Sequence, residues 1–126
     1  MAQLNPYLNF NGNTEEAFNF YRSVFGGEFA ALMRFSDNAT TAEIPEADRS
    51  KIMHIALPIG DGNMLMGTDA VESMGPNVSF GTNLYLCYGP DSREDADRIF
   101  NALSEGGKVE MPMSDMFWGD YFGSFT

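Results

Sequence analysis

The feature that most constrains this chain is a structural unit written twice. Residues 4–10 (LNPYLNF) read as a strand, Asn11-Gly12 turns the chain, and Asn13-Thr14-Glu15-Glu16 joins a helix cap to a glutamate three positions on. Ala17, Phe18, Tyr21, Val24 and Phe25 fall on one stripe of a period of about 3.6 residues, and Gly26-Gly27 ends the helix expected over 13–25. A strand over 28–34 follows. Roughly 80 residues downstream the same grammar returns: Asn83 to Tyr88 as strand, Gly89-Pro90 as turn, and Asp91-Ser92-Arg93-Glu94 as cap plus glutamate. Ala96, Ile99, Phe100 and Leu103 supply the stripe of a helix over 92–105, closed by Gly106-Gly107.

Between the repeats, 51–59 (KIMHIALPI) and 63–68 (NMLMGT) are strand candidates joined by Gly60-Asp61-Gly62, a hairpin signal. The first half therefore reads βαβββ. Residues 35–50 form a polar connection with a short helical turn after Pro45, and 70–82 form a second loop. A second half copying the first needs strands at 108–113 and 117–125 and then one more, for which residues up to Thr126 leave no room. The expectation is an α+β fold of one domain, 1–126, in two modules, 1–80 and 81–126, the second lacking its final strand.

Hydrophobic residues at 44% and aromatics at 13% supply enough apolar area for a core without disulfides or structural metal. Eighteen acidic against seven basic side chains give a formal charge of -11, which repels phosphate backbones and anionic lipid surfaces. Nucleic acid and membrane are thus not expected as partners. The longest apolar runs fall far short of the roughly 20 residues needed to span a bilayer. The single Cys87 excludes an intrachain disulfide, and no basic region followed by an apolar run precedes Pro6, so a cytoplasmic location is expected.

Two βαβββ modules in tandem resemble the vicinal-oxygen-chelate superfamily of glyoxalases and bleomycin-resistance proteins. The opening PYLNFNGNTEEAFNFYRSVFGGE, the IMHIAL strand and the closing MSDMFWGDYFGSFT are similar to its PhnB-like branch. Phe117-Trp118-Gly119 followed by Gly123 is the more specific part. The resemblance implies sheets curved around a cleft, helices outside, and a homodimer. It also implies metal-ligand positions in metal-dependent members, which fall here at about Pro6, Met66 and Asn83. None is an imidazole or carboxylate, and a slip of one residue to Tyr7 or Leu65 is no better. The expected metal site is therefore none and no cofactor is expected, with a divalent metal kept as the alternative.

His54 is the only histidine, which excludes a histidine-rich cluster. Alternation along 51–59 puts Ile52, His54 and Ala56 on one side and Met53, Ile55 and Leu57 on the other, so His54 is expected opposite the core. There it has three readings: a hydrogen-bonded structural ring, a ligand contact, or a catalytic acid or base. Glu110, placed with Lys108 and Pro112 on one strand face, is either a second catalytic candidate or a solvated charge. In 117–125, alternation groups Phe117, Tyr121 and Phe125 against Trp118 and Phe122, so one face fills the core and the other lines a pocket or an interface. Phe117, Trp118, Asp120, Tyr121 and His54 are the expected ligand-binding residues. Met64, Met66, Met74, Met111, Met113 and Met116 read as adaptable core filler. Cys87, in a strand without a nearby base, reads as an inert thiol.

No Gly-x-Gly-x-x-Gly, P-loop or Gly-x-Ser-x-Gly is present. The function expected is small-molecule binding in an aromatic-lined cleft. The competitors are a metal-dependent lyase, isomerase or dioxygenase, and an interaction module without a ligand.

Overall fold

The structure, a computed structural model, describes residues 2–37, 45–60, 62–71, 78–81 and 83–126. Met74 and Asp61 lie outside the described residues. The chain is α+β and divides into two compact units, Met1–Gly81 and Thr82–Thr126.

The first unit runs β1 (Tyr7–Phe10), α1 (Thr14–Phe25), β2 (Ala31–Arg34), β3 (Ile52–Ile59) and β4 (Asn63–Asp69), with short 3-10 turns at Phe35–Asp37 and Glu46–Asp48. Its four strands lie in the order β1-β4-β3-β2, β1 parallel to β4 and the other pairs antiparallel. The apolar stripe of α1 covers one face of this sheet. Phe18, Ile52, Ile55 and Leu57 are fully buried there and pack with Leu65, and Leu8, Phe10, Tyr21, Phe29 and Ile59 close the margin. The approach is close enough to demand glycine at one place: a Cβ at Gly67 would lie 2.7 Å from the Phe18 ring.

Two expectations are corrected in this unit. Asn13 stands at the N-cap of α1 but makes no side-chain cap bond. Asp69, buried at the end of β4, does that work instead: one carboxylate oxygen accepts from the Gly12 and Thr14 N–H groups at 3.0 Å each and from the Thr14 hydroxyl at 2.6 Å. Its other oxygen takes the Ile52 N–H at 2.8 Å. Ile52 also does not share the face of His54. The register of β2 on β3 shifts between Met33 and Arg34, so Met33 opposes His54 while Arg34 opposes Ile52, and the irregularity turns Ile52 into the helix-side core. Met53 packs with Phe35 and Val71 in a separate small cluster.

The second unit contains α2 (Arg93–Ser104), β5 (Val109–Asp115) and β6 (Tyr121–Phe125), the strands forming an antiparallel hairpin. Ser92, rather than Asp91, caps α2 by accepting from the Asp95 N–H at 3.1 Å. Ala96 and Ile99 are buried, and the Phe100 ring meets Phe125 edge-on at 5.3 Å.

Two strand expectations fail here. Residues 83–88 form no strand; among the described residues of this unit the only ladder is β5 with β6, so a segment of strand-like composition lacks a neighbouring strand. Cys87 is accordingly exposed rather than held in a sheet. Residues 117–120 are not strand either. Gly119 N–H donates to Met116 C=O at 3.0 Å, Met116 N–H donates to Asp120 C=O at 2.7 Å, and Gly119 has φ of 100°. That is a three-residue hairpin loop of Phe117, Trp118 and Gly119, in which the glycine takes the left-handed position. Bulges between Val109 and Met111 and between Met111 and Ser114 also break the alternation expected around Glu110.

Candidate functional site

With α1 on one face of the first sheet, no other α-helix is found among the described residues of this unit. Strand pairing fixes the occupants of the other face. Tyr7 is in register with Met66, Met66 with Ala56, and Ala56 with Ala31; beside this row, His54 is in register with Met33. Side chains paired across a ladder share a face, so Tyr7, Met66, His54 and Met33 surround the two alanines. Ala56 is only 5% exposed, paired with Met66 on one side and Ala31 on the other.

His54 is held by a residue that sequence reasoning had not marked as its partner. The Tyr7 hydroxyl lies 3.3 Å from His54 Nδ1, and the two rings stack at 5.8 Å between centroids and 24° between planes. The pair leaves Nε2 as the ring nitrogen available to something else. The signal for Tyr7 was present in its alternation with Leu8 along a strand, but which strand it would neighbour depends on the parallel pairing of β1 with β4.

The other expected site residues belong to the second unit. Phe117 is 97% exposed and Trp118 55% exposed at the tip of the β5–β6 hairpin, their rings meeting edge-on at 4.9 Å. Asp120 closes the loop through its backbone. Tyr121 is tied down: its hydroxyl donates to Asp97 at 2.7 Å, and the Arg93 guanidinium, itself paired with Asp115, sits 4.4 Å over its ring. The hydrogen bond to Asp97 raises the Tyr121 pKa above the ordinary phenol value. Glu110 accepts from the Tyr85 hydroxyl at 2.7 and 2.9 Å and from the Thr126 hydroxyl at 2.8 Å. These bonds lower its carboxyl below the ordinary glutamate value, which makes it a poorer base.

A divalent metal does not fit the residues at the expected ligand positions. Pro6 has no side-chain donor, and Met66, partly buried beside Tyr7, offers a thioether where a hard cation wants imidazole or carboxylate. Among the described residues no three His, Cys, Asp or Glu side chains cluster as a metal site. No described helix is long and apolar enough to cross a membrane.

Comparison with known proteins places this geometry in a family. Protein YjdN of Escherichia coli strain K12 is 30% identical over 133 aligned residues, which span 98% of this chain and 86% of the relative. The crystal structure of protein PA1353 from Pseudomonas aeruginosa is 38% identical, with a TM-score of 0.81 over 100% of this chain and 90% of that one. A PhnB protein from Bacillus cereus, at 24% identity, shares the fold with a TM-score of 0.72 over 98% of this chain and 90% of its own. The family model described as 3-demethylubiquinone-9 3-methyltransferase matches residues 2–124, and the chain belongs to that PhnB-like family.

Proposed function

We propose that this PhnB-like chain binds a small organic molecule on the open face of its first sheet, without a divalent metal. The observation that carries the reading is the Tyr7–His54 pair standing over a floor of small residues, an apolar surface with one imidazole nitrogen left to orient a ligand. The family description names methyl transfer, but no glycine-rich cradle for a nucleotide-type cofactor follows a strand here, and the proposal is for binding. Phe117, Trp118, Asp120 and Tyr121 form a separate candidate surface in the second unit, where exposed rings can stack on a flat ligand.

The reading extends to architecture. The second unit is a second copy of the βαβββ module of the vicinal-oxygen-chelate superfamily, and residues 83–88 become a strand when a partner strand is present. The protein acts as a cytoplasmic homodimer; sedimentation at micromolar concentration giving 13.9 kDa would refute the dimer.

The test of binding is to equilibrate chelator-treated protein with a cytosolic small-molecule extract, recover the complex by gel filtration and identify what it retains by mass spectrometry. A compound held by the wild type and lost from His54→Ala and Tyr7→Phe is expected. Retention that is indifferent to both changes, or that needs added divalent metal, overturns the proposal.

A further inference from the structure

Asn11 is the only asparagine of the chain that is followed by glycine. In such a pair the glycine backbone nitrogen, unhindered by a side chain, gives up its proton and attacks the asparagine Cγ. Ammonia leaves and a five-membered succinimide closes. Water then opens the ring to aspartate or, with the backbone rerouted through the side chain, to isoaspartate.

The first unit holds both reactants of that step in hydrogen bonds. Val78 N–H donates to Asn11 Oδ1 at 3.1 Å, and Asn11 Nδ2 donates to Val78 C=O at 3.2 Å. One donor and one acceptor opposite the amide fix which way it faces. Gly12 N–H, the nucleophile, donates to Asp69 Oδ1 at 3.0 Å. The Asn11–Val78 pair also ties back the chain that leaves β4. Ala70 N–H donates to Phe10 C=O at 2.7 Å and Val78 meets Asn11, so both are anchored at the end of β1. Asn11 and Gly12 are exposed to the water that the second step consumes. Phe80, 76% exposed, lies just beyond the clamp, next to the end of the unit at Gly81.

We propose that Asn11 is a deamidation site built as a one-way latch on residues 78–81. While the latch is closed, the amide is turned to Val78 and the nucleophile to Asp69, and both must let go before Gly12 N reaches Cγ. Reaction therefore proceeds through local opening. Once it has occurred, the latch does not close again. Aspartate and isoaspartate both lack the donor for Val78 C=O, and a carboxylate oxygen in its place sets acceptor against acceptor.

The experiment incubates the chain at mildly alkaline pH, folded and in guanidinium chloride, and follows Asn11 by peptide mapping, which reads the mass gain of amide to acid at that residue alone. Deamidation of the folded chain is expected to be at least about tenfold slower than that of the unfolded chain. In Asn11→Asp the Val78 amide should exchange its hydrogen, and chymotrypsin should cut after Phe80, at least about tenfold faster than in wild type, with the fully buried Phe18 still uncut. Asn11→Ser removes the amide without adding charge and gives the same reading should the acidic variant fail to fold. Equal or faster deamidation of the folded chain overturns the proposal. So do wild-type rates of Val78 exchange and Phe80 cleavage in folded Asn11→Asp, or in Asn11→Ser where the acidic variant does not fold.

Discussion

Replacing Asp69 tests whether one buried carboxylate joins three parts of the first unit. Asp69 is 3% exposed and accepts four hydrogen bonds, from Gly12, twice from Thr14 and from Ile52. These link the β1–α1 turn, the first turn of α1 and the start of β3 to the end of β4. In Asp69→Ala, Gly12 lies at an exposed position where water can satisfy its N–H, but the donors of Thr14 and Ile52 are buried. Leaving a buried donor without a partner costs about 1–3 kcal/mol. Three such groups, discounted for local relaxation, give a loss of about 3–5 kcal/mol, a large part of the roughly 5–15 kcal/mol that holds a domain folded. Asp69→Asn keeps one acceptor oxygen but sets an amide NH2 against a backbone N–H, for a loss of about 2 kcal/mol. Urea denaturation followed by circular dichroism reads both, with the change in midpoint interpreted at constant slope. If Asp69→Ala unfolds within about 1 kcal/mol of wild type, the carboxylate is not the junction described and the reasoning fails.

Glu15 accepts from Arg34 at 3.0 and 2.6 Å, chiefly through these hydrogen bonds, and its carboxyl is held below the usual glutamate value. Its contribution is therefore complete above the ordinary carboxylate range and is lost as pH falls through the lowered value, so Arg34→Gln should flatten the acid limb of the stability profile; an unchanged limb contradicts this. Gly67→Ala puts a methyl 2.7 Å from the fully buried Phe18 ring and should cost about 1–3 kcal/mol in urea denaturation; a wild-type midpoint contradicts the close approach. Trp118, half exposed on a hairpin tip, should emit at long wavelength and be quenched by iodide, and Trp118→Ala should cost less than about 1 kcal/mol. Blue-shifted, unquenched emission would show that the ring is covered.

Local pattern made the helices legible. The stripe from Ala17 to Phe25 and its echo from Ala96 to Leu103 read as α1 and α2 because a 3.6-residue period is written in neighbouring residues. The Gly60–Gly62 signal likewise announced the pairing of β3 with β4. What the sequence hid depends on partners far along the chain. The face of Ile52 turns on a bulge set by β2, the capping of α1 on an aspartate 55 positions away, and the hold on His54 on a tyrosine 47 positions away. His54 could be marked as a candidate by alternation alone; Tyr7, Met33 and Met66 join it only once the strand order β1-β4-β3-β2 is known.

The two units separate strand propensity from strand formation. Tyr7–Phe10 reads YLNF and residues 85–88 read YLCY, so the second segment is if anything the richer in strand-favouring residues. The first is a strand and the second is not. The difference is the neighbour: β4 lies parallel to β1 and completes its ladder, while the strands of the second unit pair only with each other among the described residues. Without a ladder, Leu84, Tyr85 and Leu86 remain largely exposed, and Tyr85 directs its hydroxyl to Glu110. A strand is the property of a pair, and propensity decides only which segments are ready to accept one. The same rule assembles the candidate site. Met66 is brought beside Tyr7 on one side and Ala56 on the other by the ladders of β4, so a slip of one residue in either would turn its sulfur to the helix side and leave His54 facing a different surface. The glycine at position 67 guards against that slip, because the residue that follows Met66 must fit beneath Phe18 and any side chain displaced into its place would strike the ring.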